Sequence, residues 1–114
     1  NELQGEIQSR NNFLDKLDSS LLKLYTNPDL TIKTIAESVY VSERQLLRKL
    51  NATTDMGTQD YLKQFRLKQS IKKLKLGQTV SAVALEIGFN SASYFSTTFK
   101  ATYGMTPSEF INKI

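Results

Sequence analysis

The chain has 114 residues and a net charge of +4, with no cysteine and no histidine. Disulfides, thiolate or imidazole metal sites, histidine general bases and Ser-His-Asp triads are therefore excluded; no carboxylate pair stands in an apolar setting, so an enzyme is not expected, nor a metal or cofactor. The length suits one domain or two very small ones, and no apolar run approaches the roughly 20 residues that span a bilayer.

The first stretch, "NELQGEIQSRNN", lacks the layout of a signal peptide. Residues 1–11 read as a linker or the tail of an upstream domain. Phe13, Leu14, Leu17, Leu21, Leu24 and Tyr25 then recur at three and four, predicting a helix over 12–26. Pro28 closes it. A short helix over 32–39 carries Ile32, Ile35, Ala36 and Val39 on one side. After the interruption "YVS", Ser42 and Gln45 form a capping box that opens a helix to about 53, burying Leu46 and Leu50. A long helix over 58–76 turns Tyr61, Leu62, Phe65, Ile71 and Leu74 inward and stops at Gly77. It carries Arg66, Lys68, Lys72, Lys73 and Lys75 with no acid among them. A short helix over 80–87 (Val80, Val83, Ala84, Ile87), a helix over 91–103, and a last helix opened by Thr106, Pro107 and Glu109 complete the chain. No strand is expected.

The chain repeats itself. "SERQLLRKLNATTDMGTQDYL" from Ser42 matches "SASYFSTTFKATYGMTPSEFI" from Ser91, pairing Leu46 with Phe95, Leu50 with Phe99, Met56 with Met105 and Tyr61 with Phe110. "IAESV" from Ile35 matches "VALEI" from Val83 with a register one residue shorter, so the slip falls in the turn between helices. Identical core spacing with slippage only at a turn means two copies of one helical unit. Each unit is a short helix, a tight turn and a second helix with a capped start, the layout of a helix-turn-helix. Ala36 and Ala84 let the paired helices cross closely.

The second copy, "VSAVALEIGFNSASYFSTTFKATYGMTPSEF", the first copy's "IAESVYVSERQLLRKL" and the connecting "YLKQFRLKQSIKKL" resemble the DNA-binding domain of AraC/XylS-type bacterial transcription regulators over residues 12–114. The sequence departs from the family pattern at Asp55 and Thr58, where a Gly-x-x-Pro is usual, at Tyr40, where glycine is common, at Ser70 and at Ala82. The resemblance implies an all-α fold of about seven helices. Two helix-turn-helix subdomains (12–57 and 77–114) flank a linker helix (58–76). It also implies double-stranded DNA as partner, RNA polymerase as a further one, an upstream sensory or dimerisation domain and a cytoplasmic place. Membrane anchoring of a longer hybrid sensor stays open, with no membrane contact by this segment.

On the first recognition helix, the face opposite Leu46 and Leu50 presents Glu43, Arg44, Leu47 and Arg48, with Gln45 at its edge. Arg44 and Arg48 share a face and are expected to grip guanine, the alternative being phosphate alone. Glu43 either accepts from cytosine or supports an arginine. Leu47 either touches a thymine methyl or extends the core. Lys49 points aside toward phosphate. On the second, Ala92, Ser93, Ser96 and Thr97 are expected at bases, and Ser91 and Lys100 at phosphate, with Tyr94 beside the core edge and Phe89 in the turn. The amides at both helix starts, near Ser42 and Asn90, favour phosphate. The short side chains of the second helix predict an asymmetry: direct readout by the first unit, register and shape sensing by the second. The lysines on the linker helix read as solvent surface, the alternatives being a DNA-side face or a contact for another domain or polymerase. A helical protein-interaction module is the competing reading, and salt-dependent binding to duplex DNA separates the two.

Overall fold

The computed structural model describes residues 2–114, with side chains described from residue 12 onward. Among the described residues the chain forms seven α-helices and no strand: α1 (Glu2–Leu24), α2 (Ile32–Ser38), α3 (Glu43–Thr54), α4 (Thr58–Lys75), α5 (Val80–Glu86), α6 (Ala92–Tyr103) and α7 (Pro107–Lys113). None of these helices is long and apolar enough to cross a membrane. The expected boundaries hold to within a residue or two except at α1, which starts at Glu2 rather than near 12. Extending a formed helix adds one hydrogen bond per residue, and the stretch before Phe13 contains no proline to stop it. The expected linker or tail over 1–11 concerns side chains outside the described residues.

The chain divides into two compact units, Asn1–Leu24 with Leu30–Leu62, and Tyr25–Asp29 with Lys63–Ile114. In the first, Leu17 and Leu21 of α1, Ile35 and Ala36 of α2, Leu46 and Leu50 of α3 and Leu62 of α4 are buried. Tyr61 lies at the edge of this core. Its hydroxyl donates to Asp18 at 2.6 Å, and burial, then that bond and the carboxylate's charge, push the phenol's pKa up.

In the second unit an aromatic chain forms the core. Phe89 meets Phe95 at 5.7 Å between centroids, Phe95 meets Phe99 at 5.7 Å, and Phe99 meets Phe110 of α7 at 5.8 Å. Phe95 and Phe99 are wholly buried, each worth about 1.5–3 kcal/mol of transfer free energy. Val83 and Ala84 of α5, with Ile87 at its C-cap, are also buried in this unit. Phe89, expected only in the turn, is buried as well.

The duplication is visible in the backbone. After α2, the amide of Tyr40 donates to the Glu37 carbonyl and that of Val41 to Ala36; after α5, Gly88 donates to Leu85 and Phe89 to Ala84. Both are Schellman stops with a left-handed residue at their centre, Tyr40 at φ 60° and Gly88 at φ 88°. The recognition helices end alike, on Asp55 (φ 59°) and Gly104 (φ 78°). The two departures from glycine thus keep the glycine geometry. The one-residue slip is Asn90, which stands between Phe89 and the cap Ser91, whereas Val41 is followed directly by its cap Ser42.

The basic run on α4 does not form one surface. Arg66 is half-buried; its Nε donates to the Tyr25 carbonyl at 3.0 Å and its Nη2 to the Asn27 carbonyl at 2.8 Å. Burial lowers the guanidinium's pKa from its ordinary value, as expected for a cation withdrawn from water. Arg66 therefore anchors the segment after α1, which also packs Tyr25 edge-on to Phe65 at 5.7 Å. Lys73 pairs with Glu86 at 3.2 Å, which leaves Lys68, Lys72 and Lys75 exposed. Leu67 and Ser70 are wholly buried on α4, while Ile71, expected inward, is only partly covered.

Candidate nucleic-acid interface

α3 starts on a full capping box. The Ser42 hydroxyl accepts from the Gln45 amide at 3.1 Å, and the Gln45 side-chain oxygen accepts from the Ser42 amide at 3.0 Å. Two orphan donors of the first turn are satisfied this way. The same bonds occupy the carbonyl end of Gln45, so only its amide end remains to meet a base. With Leu46 and Leu50 wholly buried, the opposite side of α3 presents Glu43, Arg44, Leu47 and Arg48, all exposed.

Neither arginine makes a hydrogen bond or ion pair among the described residues. Two exposed guanidiniums one helical turn apart suit guanine edges or phosphate. Leu47 is 44% exposed, and its Cδ1 lies 3.8 Å from where a side chain on Gly57 would begin. It shields the loop after α3 in part and leaves an apolar surface outward. Lys49 is turned to the side, its Nζ 5.3 Å from the centre of the Phe13 ring, within cation–π range.

α6 has a different chemistry. Its cap is Ser91, whose hydroxyl accepts from the Tyr94 amide at 3.0 Å; Asn90, expected near this capping position, lies one residue outside it. The displacement follows from the extra residue in the turn. Ser93 and Thr97 are exposed, and Ala92 and Ser96 are partly covered. The Thr97 hydroxyl donates to the Ser93 carbonyl at 3.1 Å, which leaves its methyl and an oxygen lone pair for a partner. Lys100 is exposed in the last turn and close enough to Glu109 to help lower that carboxyl's pKa, though Glu109's bonds with Thr106 act more strongly.

Each unit thus collects its own set: Ser42, Glu43, Arg44, Gln45, Leu47, Arg48 and Lys49 around α3, and Asn90, Ser91, Ala92, Ser93, Ser96, Thr97 and Lys100 around α6. Tyr94 lies beside the core edge, its ring 5.3 Å from that of buried Phe89, and is 55% exposed. Thr98 is buried.

A family model described as a helix-turn-helix domain matches residues 35–113. An uncharacterised HTH-type transcriptional regulator in the cgkA 5′ region of Pseudoalteromonas carrageenovora is 35% identical over 82 residues, covering 72% of this chain and 49% of that protein. Histidine kinase P4 of Formosa agariphila is 25% identical over 109 residues, covering 88% of this chain and 8% of the kinase. The chain therefore spans about half the length of the first relative and a small part of the second. Among solved structures, a transcriptional regulator from Chromobacterium violaceum, described as AraC-type DNA-binding domain-containing, aligns with a TM-score of 0.73 at 25% identity, covering 85% of this chain and 90% of that one.

Proposed function

Because the chain belongs to the AraC/XylS-type helix-turn-helix family of DNA-binding domains, we propose that its two units read double-stranded DNA in two successive major grooves, as the output part of a bacterial transcription regulator. The observation that carries this reading is the duplicated backbone: two short helices, two Schellman stops and two capped helices with an outward polar face. One such motif reads one short stretch of groove. Two in one chain read a non-palindromic site of two boxes about 10 base pairs apart.

In this reading Arg44 and Arg48 contact guanine, with Glu43, Gln45 and Leu47 around them. Ala92, Ser93, Ser96 and Thr97 make the shorter contacts of the second box. Ser42, Lys49, Asn90, Ser91 and Lys100 meet phosphate. The boundaries proposed for the subdomains are 12–57 and 77–114, joined through 58–76. The relatives' greater length supports an upstream sensory or dimerising part in a longer chain. The seat of this segment is the bacterial cytoplasm, with RNA polymerase as a second partner, and a longer chain could still be membrane-anchored as a hybrid sensor.

Salt tests the reading. Binding to a duplex, followed by fluorescence anisotropy between 50 and 200 mM salt (the range over which phosphate contacts show most clearly), is expected to weaken with a log–log slope of about −2, roughly 0.9 for each of Lys49 and Lys100 at phosphate. Binding that ignores salt, or binds acidic protein and not duplex, contradicts it.

A further inference from the structure

Before Lys100, the outward side of α6 is made of short residues with one exception. Tyr94 stands in its first turn, 55% exposed, and its hydroxyl makes no hydrogen bond among the described residues. The ring is held in place. It meets Phe89 edge-on, with centroids 5.3 Å apart and planes at 60°, and Phe89 is itself buried against Phe95. A tyrosine packed on one edge with a bare hydroxyl beyond it is the amphipathic use of this side chain found at interfaces.

The matched residue of α3 is Gln45, whose side chain folds back to the Ser42 amide. Tyr94 has no such return, and Phe89 takes the place that Val41 fills in the first turn. The hydroxyls nearest it are engaged locally, Ser91 with the Tyr94 amide and Thr97 with the Ser93 carbonyl. Those of Ser93 and Ser96 stay close to the helix surface. The phenol reaches farther out than any of them.

Resting on the DNA-binding reading above, we infer that the Tyr94 hydroxyl donates a hydrogen bond to a backbone phosphate at the wall of the second major groove and so sets the register of α6. Phosphate follows from placement. Tyr94 lies one helical position, about 100°, from Ser93 and packs on Phe89 of the turn, so it stands at the flank of the outward face. The flank of a groove-seated helix meets sugar and phosphate, while its centre meets base edges. Tyr94 supplies the long-range contact that the serines and threonines of α6 are too short to make.

Tyr94→Phe tests this, because it keeps the ring and the Phe89 contact and removes only the hydroxyl. Affinity of the whole 114-residue chain is measured for a duplex recovered from random sequence and for a scrambled duplex, with Arg44→Ala alongside. The variant is expected to bind both duplexes about fivefold more weakly, with an unchanged thermal midpoint. Ethylation interference at one phosphate, seen with the parent protein, is expected to vanish. Unaltered affinity overturns the contact, and leaves the DNA reading standing if Arg44→Ala still weakens binding. A loss confined to the recovered duplex overturns the phosphate assignment, since phosphate contacts carry no sequence information. A loss that tracks a lowered thermal midpoint overturns it too. A parent protein that binds no duplex overturns both this contact and the reading on which it rests.

Discussion

Gly88→Ala is expected to destabilise the unit built on α5, α6 and α7 by about 2–5 kcal/mol in denaturant unfolding, combining the left-handed penalty of an L-residue with the strain of an added methyl. The first part follows from φ 88° at this position. The second follows from space. A Cβ there would lie 2.5 Å from the Tyr25 carbonyl oxygen and 2.9 Å from Nη2 of Arg66. That carbonyl already accepts from Arg66 Nε, so the methyl presses on the contact that anchors the segment after α1. Tyr40→Gly is the matched control in the other turn. Tyr40 adopts φ 60° while its side chain is 95% exposed, so glycine relieves the backbone and removes almost no packing. The expected result is a gain of about 0.5–1 kcal/mol. A Gly88→Ala protein as stable as its parent, or a Tyr40→Gly protein clearly less stable, would show that the paired turns are misread.

The second large effect concerns recognition. Arg44→Ala and Arg48→Ala are each expected to cost about 1–3 kcal/mol of specific binding, and together about 2–5 kcal/mol, with the preference for the recovered site over scrambled DNA collapsing. Both side chains extend from a helix fixed by its capping box and by Leu46 and Leu50, so truncation removes contacts without disturbing the fold. Stability should stay within about 0.5 kcal/mol of the parent, the usual range for exposed positions. Ser93→Ala and Thr97→Ala are expected to change discrimination less than either arginine. The reverse order would contradict the asymmetry between the two recognition helices, as would two arginine variants that weaken selected and scrambled DNA equally.

Much of the fold was legible because its signals are local. The capping boxes at Ser42 and Thr106, Pro107 at the first helical position and Gly77 at a helix end act within a few residues of themselves, and each stands where it was read. The repeat carried the rest: once Phe95 and Phe99 matched Leu46 and Leu50, their burial followed. What the sequence hid is non-local. Arg66 looked like one of five cations on a helix face, but its partners are the carbonyls of Tyr25 and Asn27, about forty residues away, and no spacing encodes a side chain that bonds backbone. α4 contributes to both units, so its buried residues, Thr58, Leu62, Phe65, Leu67, Ser70 and Leu74, do not keep a single stripe. Tyr94 stands beside the core edge as its spacing from Phe95 suggests, but how far it is exposed, and that Phe89 is its packing partner, depend on the turn's conformation. At the candidate interface, exposure could be anticipated from the buried positions of α3 and α6; the local commitments of Gln45, Ser91 and Thr97 required coordinates.

Selection of bound sequences from random duplexes bears most directly on the two-groove account. The expected product is a non-palindromic site with two short boxes about 10 base pairs apart, centre to centre, with guanines concentrated in the box that Arg44→Ala and Arg48→Ala erase and a weaker preference in the other. Recovery of no enriched sequence, of a single box, or of two boxes that both survive loss of the arginines would contradict it.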